Sequence, residues 1–134
     1  TMSTIAKPKI LVAEDNYINQ QVIGSMLENL QYDFVQVGNG KEAIEMLKAN
    51  PQEFGLVLMD CQMPIMDGYE ATTYVRKNPK EKFDTNIPII AVTANAMSGD
   101  KVKCLASGMN DYLEKPILLE KLTAMLNKWS PSIH

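Results

Sequence analysis

Five short apolar runs separated by stretches of helical period decide what this chain can fold into. The runs are residues 9–13 (KILVA), 33–37 (DFVQV), 55–59 (GLVLM) with Asp60 following, 88–92 (PIIAV) and 111–114 (DYLE). The first, third and fourth are almost continuously apolar, the pattern of strands buried on both faces. The second and fifth alternate, as more exposed strands do. Residues 17–30 repeat apolar side chains at Ile18, Val22, Ile23, Met26, Leu27 and Leu30, and residues 40–49 do so at Ala43, Ile44 and Leu47 behind an Asn39 N-cap. Residues 69–77 read as a third helix starting from Asp67 or Gly68. Ser98 opens a fourth, with Asp100 in its first turn and Gly108 as its stop, and residues 118–129 form a fifth that ends before Pro131. A succession of five βα units joined by right-handed crossovers gives an α/β fold with a doubly wound, five-stranded parallel sheet.

In an open parallel sheet, ligands bind beyond the carboxyl ends of the strands, so the residues after each run carry the chemistry. Glu14 and Asp15 follow the first run, Asp60 the third, Thr93 the fourth, and Lys115 and Pro116 the fifth. Three carboxylates brought to one edge repel one another and call for a cation; hard oxygen donors select Mg²⁺, for which Mn²⁺ can substitute. Such an ion keeps several waters and leaves positions for the oxygens of a phosphoryl group. Lys115 adds a point charge for the same oxygens, and Thr93 a hydroxyl donor. Asp60, at the tip of the central run, is the expected nucleophile, attacking in line to form an acyl phosphate. Taken alone, a Glu-Asp pair is ordinarily a solvated helix start and an Asp–Lys pair a structural ion pair. Their convergence favours function, because a buried ion pair seldom stabilises a fold relative to apolar residues.

Four motifs carry these residues: VAEDN at the acidic pair, LMDCQMPIMDG at Asp60, VTANA at Thr93 and YLEKP at Lys115. In this order the chain resembles a response-regulator receiver domain from Pro8 to Trp129. The resemblance implies a flavodoxin-like (βα)5 receiver fold over residues 8–129, with 1–7 and 130–134 as flexible termini. It also implies that Asp60 is the phosphorylation site, and that Glu14, Asp15, Asp60 and the backbone carbonyl of Gln62 hold Mg²⁺. Thr93 and Tyr112 then form a switch pair, the Lys115–Pro116 peptide is cis, and Gln62 and Asn95 tune the dephosphorylation rate. Glu14 stands where many members carry Asp. The wording EDNYINQQV, ANAMSGD and GMNDYLEKPI is most similar to receivers of hybrid sensor histidine kinases; a stand-alone single-domain regulator is the alternative. The implied partner is a histidine kinase or histidine phosphotransfer protein, as phosphodonor or acceptor, and the domain is not a conventional enzyme. His134, the single histidine, lies near the C-terminus without a helical phosphoacceptor context.

Composition narrows the remaining classes. At 134 residues and 46% apolar the chain makes one domain, with no room for an effector or DNA-binding unit, so output is expected through a partner or a parent protein. A formal charge of −3 gives no reason to bind nucleic acid. Cys61 and Cys104 have no CxxC spacing, which argues against zinc and against a disulfide-stapled secreted fold, and both read as packing residues in a cytoplasmic protein. No run approaches the roughly 18 to 20 apolar residues of a membrane span, and residues 1–8 lack a signal-peptide core, so no membrane contact is expected.

The apolar stripe of the first helix is wider than one sheet face requires. Either it is a broad core face, or the part around Ile18 and Val22 stays exposed to dock a phosphodonor. Tyr112 is likewise a half-exposed strand aromatic or a switch. Two rival functions meet specific objections. An Asp-nucleophile phosphatase needs an acid two residues after the nucleophile, where Gln62 stands. An FMN carrier needs a Ser/Thr/Gly phosphate loop where Glu14 and Asp15 stand.

Overall fold

The computed structural model describes residues 9–78, 82–94, 99 and 101–129. Its elements run β1 (Lys9–Ala13), α1 (Tyr17–Asn29), β2 (Phe34–Val37), α2 (Gly40–Ala49), β3 (Phe54–Asp60), α3 (Gly68–Arg76), β4 (Ile89–Thr93), α4 (Lys101–Ser107), β5 (Asp111–Glu114) and α5 (Leu119–Trp129). All strand pairs are parallel, in the order β2-β1-β3-β4-β5. The continuously apolar runs thus take the three inner positions and the alternating ones the two edges, because only inner strands are covered on both faces along their length.

Residues of opposite parity on each strand feed two cores. Leu11, Ala13, Val57, Met59, Ile89 and Ala91 pack under α2, α3 and α4, against Ala43, Leu47, Ala71, Val75 and Cys104. Ile10, Val12, Leu56, Leu58, Ile90 and Val92 pack under α1 and α5, against Ile23, Leu27, Leu122 and Leu126. Each fully buried Leu or Ile contributes about 2 kcal/mol, so the two layers hold the sheet from both sides. No helix among the described residues is long and apolar enough to cross a membrane.

Strand ends differ from the sequence expectation by one residue in places, and two of these matter. Both β3 and β4 extend to include Asp60 and Thr93. Pro88 has no N–H to give, and β4 begins after it, although its carbonyl still accepts from Val57 N. Asp67 proves to be the N-cap of α3, in a capping box with Glu70. Gly108, at φ +108°, follows α4 as expected of its stop. Pro8, Asn95, Ser98, Asp100, Pro131 and the two proposed flexible termini lie outside the described residues.

Gly68 fixes the approach of α3 to the end of β3. Its N–H donates to the Cys61 carbonyl at 3.1 Å. A Cβ at this position would collide with the Asp60 carbonyl and lie 2.9 Å from Met59 Cγ. Gly68→Ala is therefore expected to destabilise the domain by about 2 kcal/mol, because backbone cannot move aside as a flexible side chain does. A urea midpoint equal to that of the wild type contradicts this.

Candidate functional site

Parallel pairing delivers the strand ends to one edge in register. Ala13 pairs with Val37 and Met59, Asp60 with Val92, and Thr93 with Glu114. Just past these positions lies an open cavity of about 360 Å³ lined by Glu14, Asp15, Asn16, Asn19, Asp60, Gln62, Thr93, Ala94 and Lys115. Of the residues expected at the site, the structure brings together Glu14, Asp15, Asp60, Gln62, Thr93 and Lys115.

The carboxylates are held from several directions. Glu14 N–H donates to the Val37 carbonyl at 3.0 Å, and Asn16 N–H donates to Glu14 Oε2 at 3.1 Å. Gln62 N–H donates to Asp60 Oδ1 at 3.2 Å, and Lys115 Nζ donates to Asp60 Oδ2 at 3.1 Å. Lys115 Nζ also lies 3.2 Å from Glu14 Oε1, close enough for attraction but without hydrogen-bond geometry, so that buried oxygen has no donor among the described residues. Glu14 and Asp60 are 1% and 4% exposed, whereas Asp15 is exposed.

Burial, reinforced by Glu14, pushes the Asp60 carboxyl up to about 7; the Gln62 N–H and Lys115 pull the other way. Burial lowers the Lys115 ammonium, but Asp60 and Glu14 outweigh it and hold the pKa above the ordinary lysine value. The lysine is thus a fixed cation beside carboxylates whose charge it only partly offsets. One oxygen from each of Glu14, Asp15 and Asp60 lies within 4.8 Å of the others. This donor set, together with the buried Glu14 oxygen that lacks a donor among the described residues, fits a hard divalent cation.

Tyr112 pairs with Ala91 across β4 and β5, which places it on the same sheet face as Thr93, two positions earlier along the strand. It is half-buried, with Lys101 Nζ 5.4 Å from its ring centroid. The Lys115–Pro116 peptide is cis, and Lys115 N–H donates to the Thr93 carbonyl at 2.8 Å. On α1, Ile23 and Leu27 are buried while Ile18 and Val22 are 69% and 41% exposed, so the broad stripe is not all core. Cys61 and Cys104 are buried free thiols whose sulfurs meet at 3.6 Å, packing residues as expected.

Three site residues escaped the sequence reading. Asn16 caps α1 by accepting from Asn19 N–H at 3.0 Å, a role that the position of an Asn just before an apolar-periodic stretch could have revealed. Asn19 lines the cavity from the first turn of α1. Gln20 Nε2 donates to the Glu14 carbonyl at 2.6 Å, and the Gln20 carbonyl accepts from Gln36 Nε2 at 2.9 Å, clamping the acidic pair between α1 and β2. Nothing local in the sequence marks Gln20.

A doubly wound parallel sheet with clustered carboxylates and a lysine at its carboxyl edge defines a phosphoryl-handling domain of flavodoxin-like topology. The family model for the response regulator receiver domain matches residues 10–127, and the chain belongs to that family.

The chain is 44% identical over 117 residues to hybrid signal transduction histidine kinase B of Dictyostelium discoideum, covering 81% of this chain and 6% of that protein. It is 40% identical over 130 residues to the sensor histidine kinase GacS of Pseudomonas protegens, covering 97% and 14%. It therefore spans a small part of the length of these relatives. Among solved structures, the receiver domain of the sensor histidine kinase PA1611 from Pseudomonas aeruginosa superposes with a TM-score of 0.83 at 41% identity, covering 95% of this chain and 100% of that one. That crystal structure holds a magnesium ion in its active-site cleft. The Saccharomyces cerevisiae Ssk1 receiver, crystallised with the histidine phosphotransfer protein Ypd1, gives a TM-score of 0.82 at 34% identity, covering 94% and 90%.

Proposed function

We propose that this receiver domain accepts a phosphoryl group from a protein phosphohistidine onto Asp60, within a hybrid histidine kinase or phosphorelay. The observation that carries the reading is the position of the Asp60 carboxylate, on the last residue of the central strand, between Glu14 and Lys115 at the floor of an open polar cavity. Asp60 attacks phosphorus through a carboxylate oxygen; an O–P bond forms, the N–P bond to the donor imidazole breaks, and the imidazole leaves with the bond's electron pair. Lys115 and the Thr93 hydroxyl receive the phosphoryl oxygens. Glu14, Asp15, Asp60 and the Gln62 carbonyl hold Mg²⁺, with Mn²⁺ as a substitute. When bound, the ion neutralises charge on the phosphoryl oxygens and favours ionised Asp60.

The product changes the local charge: one carboxylate charge is lost and about two phosphoryl charges appear. Thr93 turns toward the new oxygens and Tyr112 responds on the same sheet face, altering the surface of α4, β5 and α5. Gln62 and Asn95 set the acyl-phosphate lifetime. The domain cycles its own phosphorylation rather than turning over an external substrate, and works in the cytoplasm. Residues 8–129 constitute it.

The test is incubation of the chain with acetyl phosphate and Mg²⁺, followed by intact-mass measurement. The expected result is a gain of one phosphoryl group that disappears in EDTA. No gain in Mg²⁺ overturns the reading.

The exposed Ile18 and Val22 give the phosphodonor a place to dock beside the cavity. Ile18→Asp is expected to slow transfer from a phosphorylated histidine phosphotransfer protein about tenfold and to leave phosphorylation by acetyl phosphate unchanged. Equal slowing with both donors would show that the side chain acts on the chemistry instead.

A further inference from the structure

The three carboxylates of the site are not fixed equally. Glu14 and Asp60 are buried, and their oxygens are held by the Asn16 and Gln62 N–H groups and by the Lys115 ammonium. Asp15 is exposed, and among the described residues no hydrogen bond or ion pair holds its carboxylate. One of its oxygens nevertheless lies within 4.8 Å of an oxygen on each of the other two. The backbone must therefore carry the placement of Asp15. The unit that sets it is the Glu14–Asp15 peptide, because a peptide plane moves as one body.

That peptide is held from outside the cavity. Glu14 N–H donates to the Val37 carbonyl at 3.0 Å, which fixes the chain on its β2 side. The Glu14 carbonyl, which is the oxygen of the Glu14–Asp15 peptide, accepts from Gln20 Nε2 at 2.6 Å. The Gln20 carbonyl accepts in turn from Gln36 Nε2 at 2.9 Å, so this turn of α1 is braced against β2. Gly24, one turn further along α1, makes room for the brace. A Cβ there would lie 2.9 Å from Gln36 Nε2 and 3.2 Å from Phe34 Cζ. Two glutamine amides and a glycine thus serve one carbonyl beside the acidic pair, although Gln20 is not part of the cavity wall.

We propose that Gln20 is a positioning residue for the cation site. By holding the Glu14–Asp15 peptide it keeps the exposed Asp15 carboxylate where a small divalent ion needs it, and so sets a preference for Mg²⁺ over a larger hard cation such as Ca²⁺. The proposal rests on the receiver reading above and adds to it a residue outside the cavity that governs which ion is taken. Mg²⁺ demands near-ideal octahedral geometry at about 2.0 to 2.1 Å, whereas Ca²⁺ accepts roughly six to eight oxygens at about 2.3 to 2.6 Å in flexible arrangements. Slackening Asp15 therefore weakens Mg²⁺ more than Ca²⁺.

The experiment titrates isotope-labelled wild type, Gln20→Met and Gln21→Met with MgCl₂ and separately with CaCl₂, following the Gln62 amide signal by NMR. Met keeps the length and helix preference of Gln and has no donor, so the variants are expected to fold, and urea midpoints in EDTA check that separately. Gln20→Met is expected to weaken Mg²⁺ binding about tenfold and Ca²⁺ binding less than about threefold. Gln21, exposed and next along the helix, is expected to tolerate Met without change for either ion. Mg²⁺ affinity within about twofold of wild type in Gln20→Met overturns the proposal. So does an equal loss for the two ions, which would make the clamp a support of the fold rather than of ligand geometry, or an equal effect of Gln21→Met. A wild type that binds neither ion strikes at the receiver reading itself and removes the proposal with it.

Discussion

Asp60→Asn is expected to reduce phosphoryl uptake from acetyl phosphate below detection while making the metal-free protein more stable at pH 8. The two effects share one cause. Asp60 is 4% exposed and faces Glu14, so its ionised form is costly in the folded chain and its carboxyl is held up at about 7. At pH 8 the folded protein nevertheless carries that charge. Asparagine removes it and keeps the oxygen that accepts from Gln62 N–H, and its amide can donate to Glu14. It loses the attraction of Lys115, 3.1 Å away, so the net gain is smaller than the pKa displacement implies, about 2 kcal/mol. The same amide has no anionic oxygen with which to attack phosphorus. Intact mass after acetyl phosphate treatment checks the first effect and urea unfolding at pH 8 the second. A variant that still gains one phosphoryl group places the acceptor elsewhere. One that is less stable than wild type shows that Asp60 is a structural partner of Lys115 rather than a charge held for chemistry.

Continuous apolar runs distinguish β1, β3 and β4 from the alternating β2 and β5, and that difference alone predicts which strands lie inside the sheet. The clustering of Glu14, Asp15, Asp60, Thr93 and Lys115 was readable for a related reason. Parallel strands point the same way, so the residues after them meet whatever their separation in sequence. Contacts that depend on side-chain reach between elements were not readable. Gln20 clamps the Glu14 carbonyl only because α1 lies over β1 and β2, and its period in the helix says nothing of that. Cys61 and Cys104 touch because α4 packs over the end of β3, a contact their spacing hides. Hydropathy alone could not divide α1 into its buried Ile23 and Leu27 and its exposed Ile18 and Val22, since all four are equally apolar. Ile65 is the sharpest failure. Its residue type argues against the φ of +68° that it adopts.

Stability of the metal-free domain is expected to fall as pH rises from 5 to 8, and Mg²⁺ to abolish most of that fall. In the unfolded chain Asp60 releases its proton near the ordinary value of 3.8, whereas in the folded chain it keeps it until about 7. Between those values the folded state binds one proton more, so raising the pH favours unfolding. This contribution is fully present below 3.8 and is lost as pH rises through about 7. With a displacement of about three pH units the full loss is on the order of 4 kcal/mol, of which about 2.5 kcal/mol falls between pH 5 and 8.

Other shifted groups act outside this window. Burial raises the Asp111 carboxyl, but hydrogen bonds from Trp129, the Tyr112 N–H and Lys128 outweigh it and hold the pKa below 3.8, so its contribution is lost only in acid. The raised Lys115 contributes stability that is lost only above the lysine range. A divalent cation binds ionised carboxylates and competes with the Asp60 proton, so its own stabilisation grows over the range in which the metal-free protein weakens. Urea midpoints at pH 5, 6, 7 and 8 in EDTA and in Mg²⁺ measure both trends, and subtracting the Asp60→Asn series removes the contribution of titrating groups remote from Asp60. Parallel curves with and without Mg²⁺ would mean that the ion does not meet the Asp60 carboxylate. A flat curve in EDTA would mean that Lys115 alone already neutralises the site, leaving no unbalanced charge to recruit a metal.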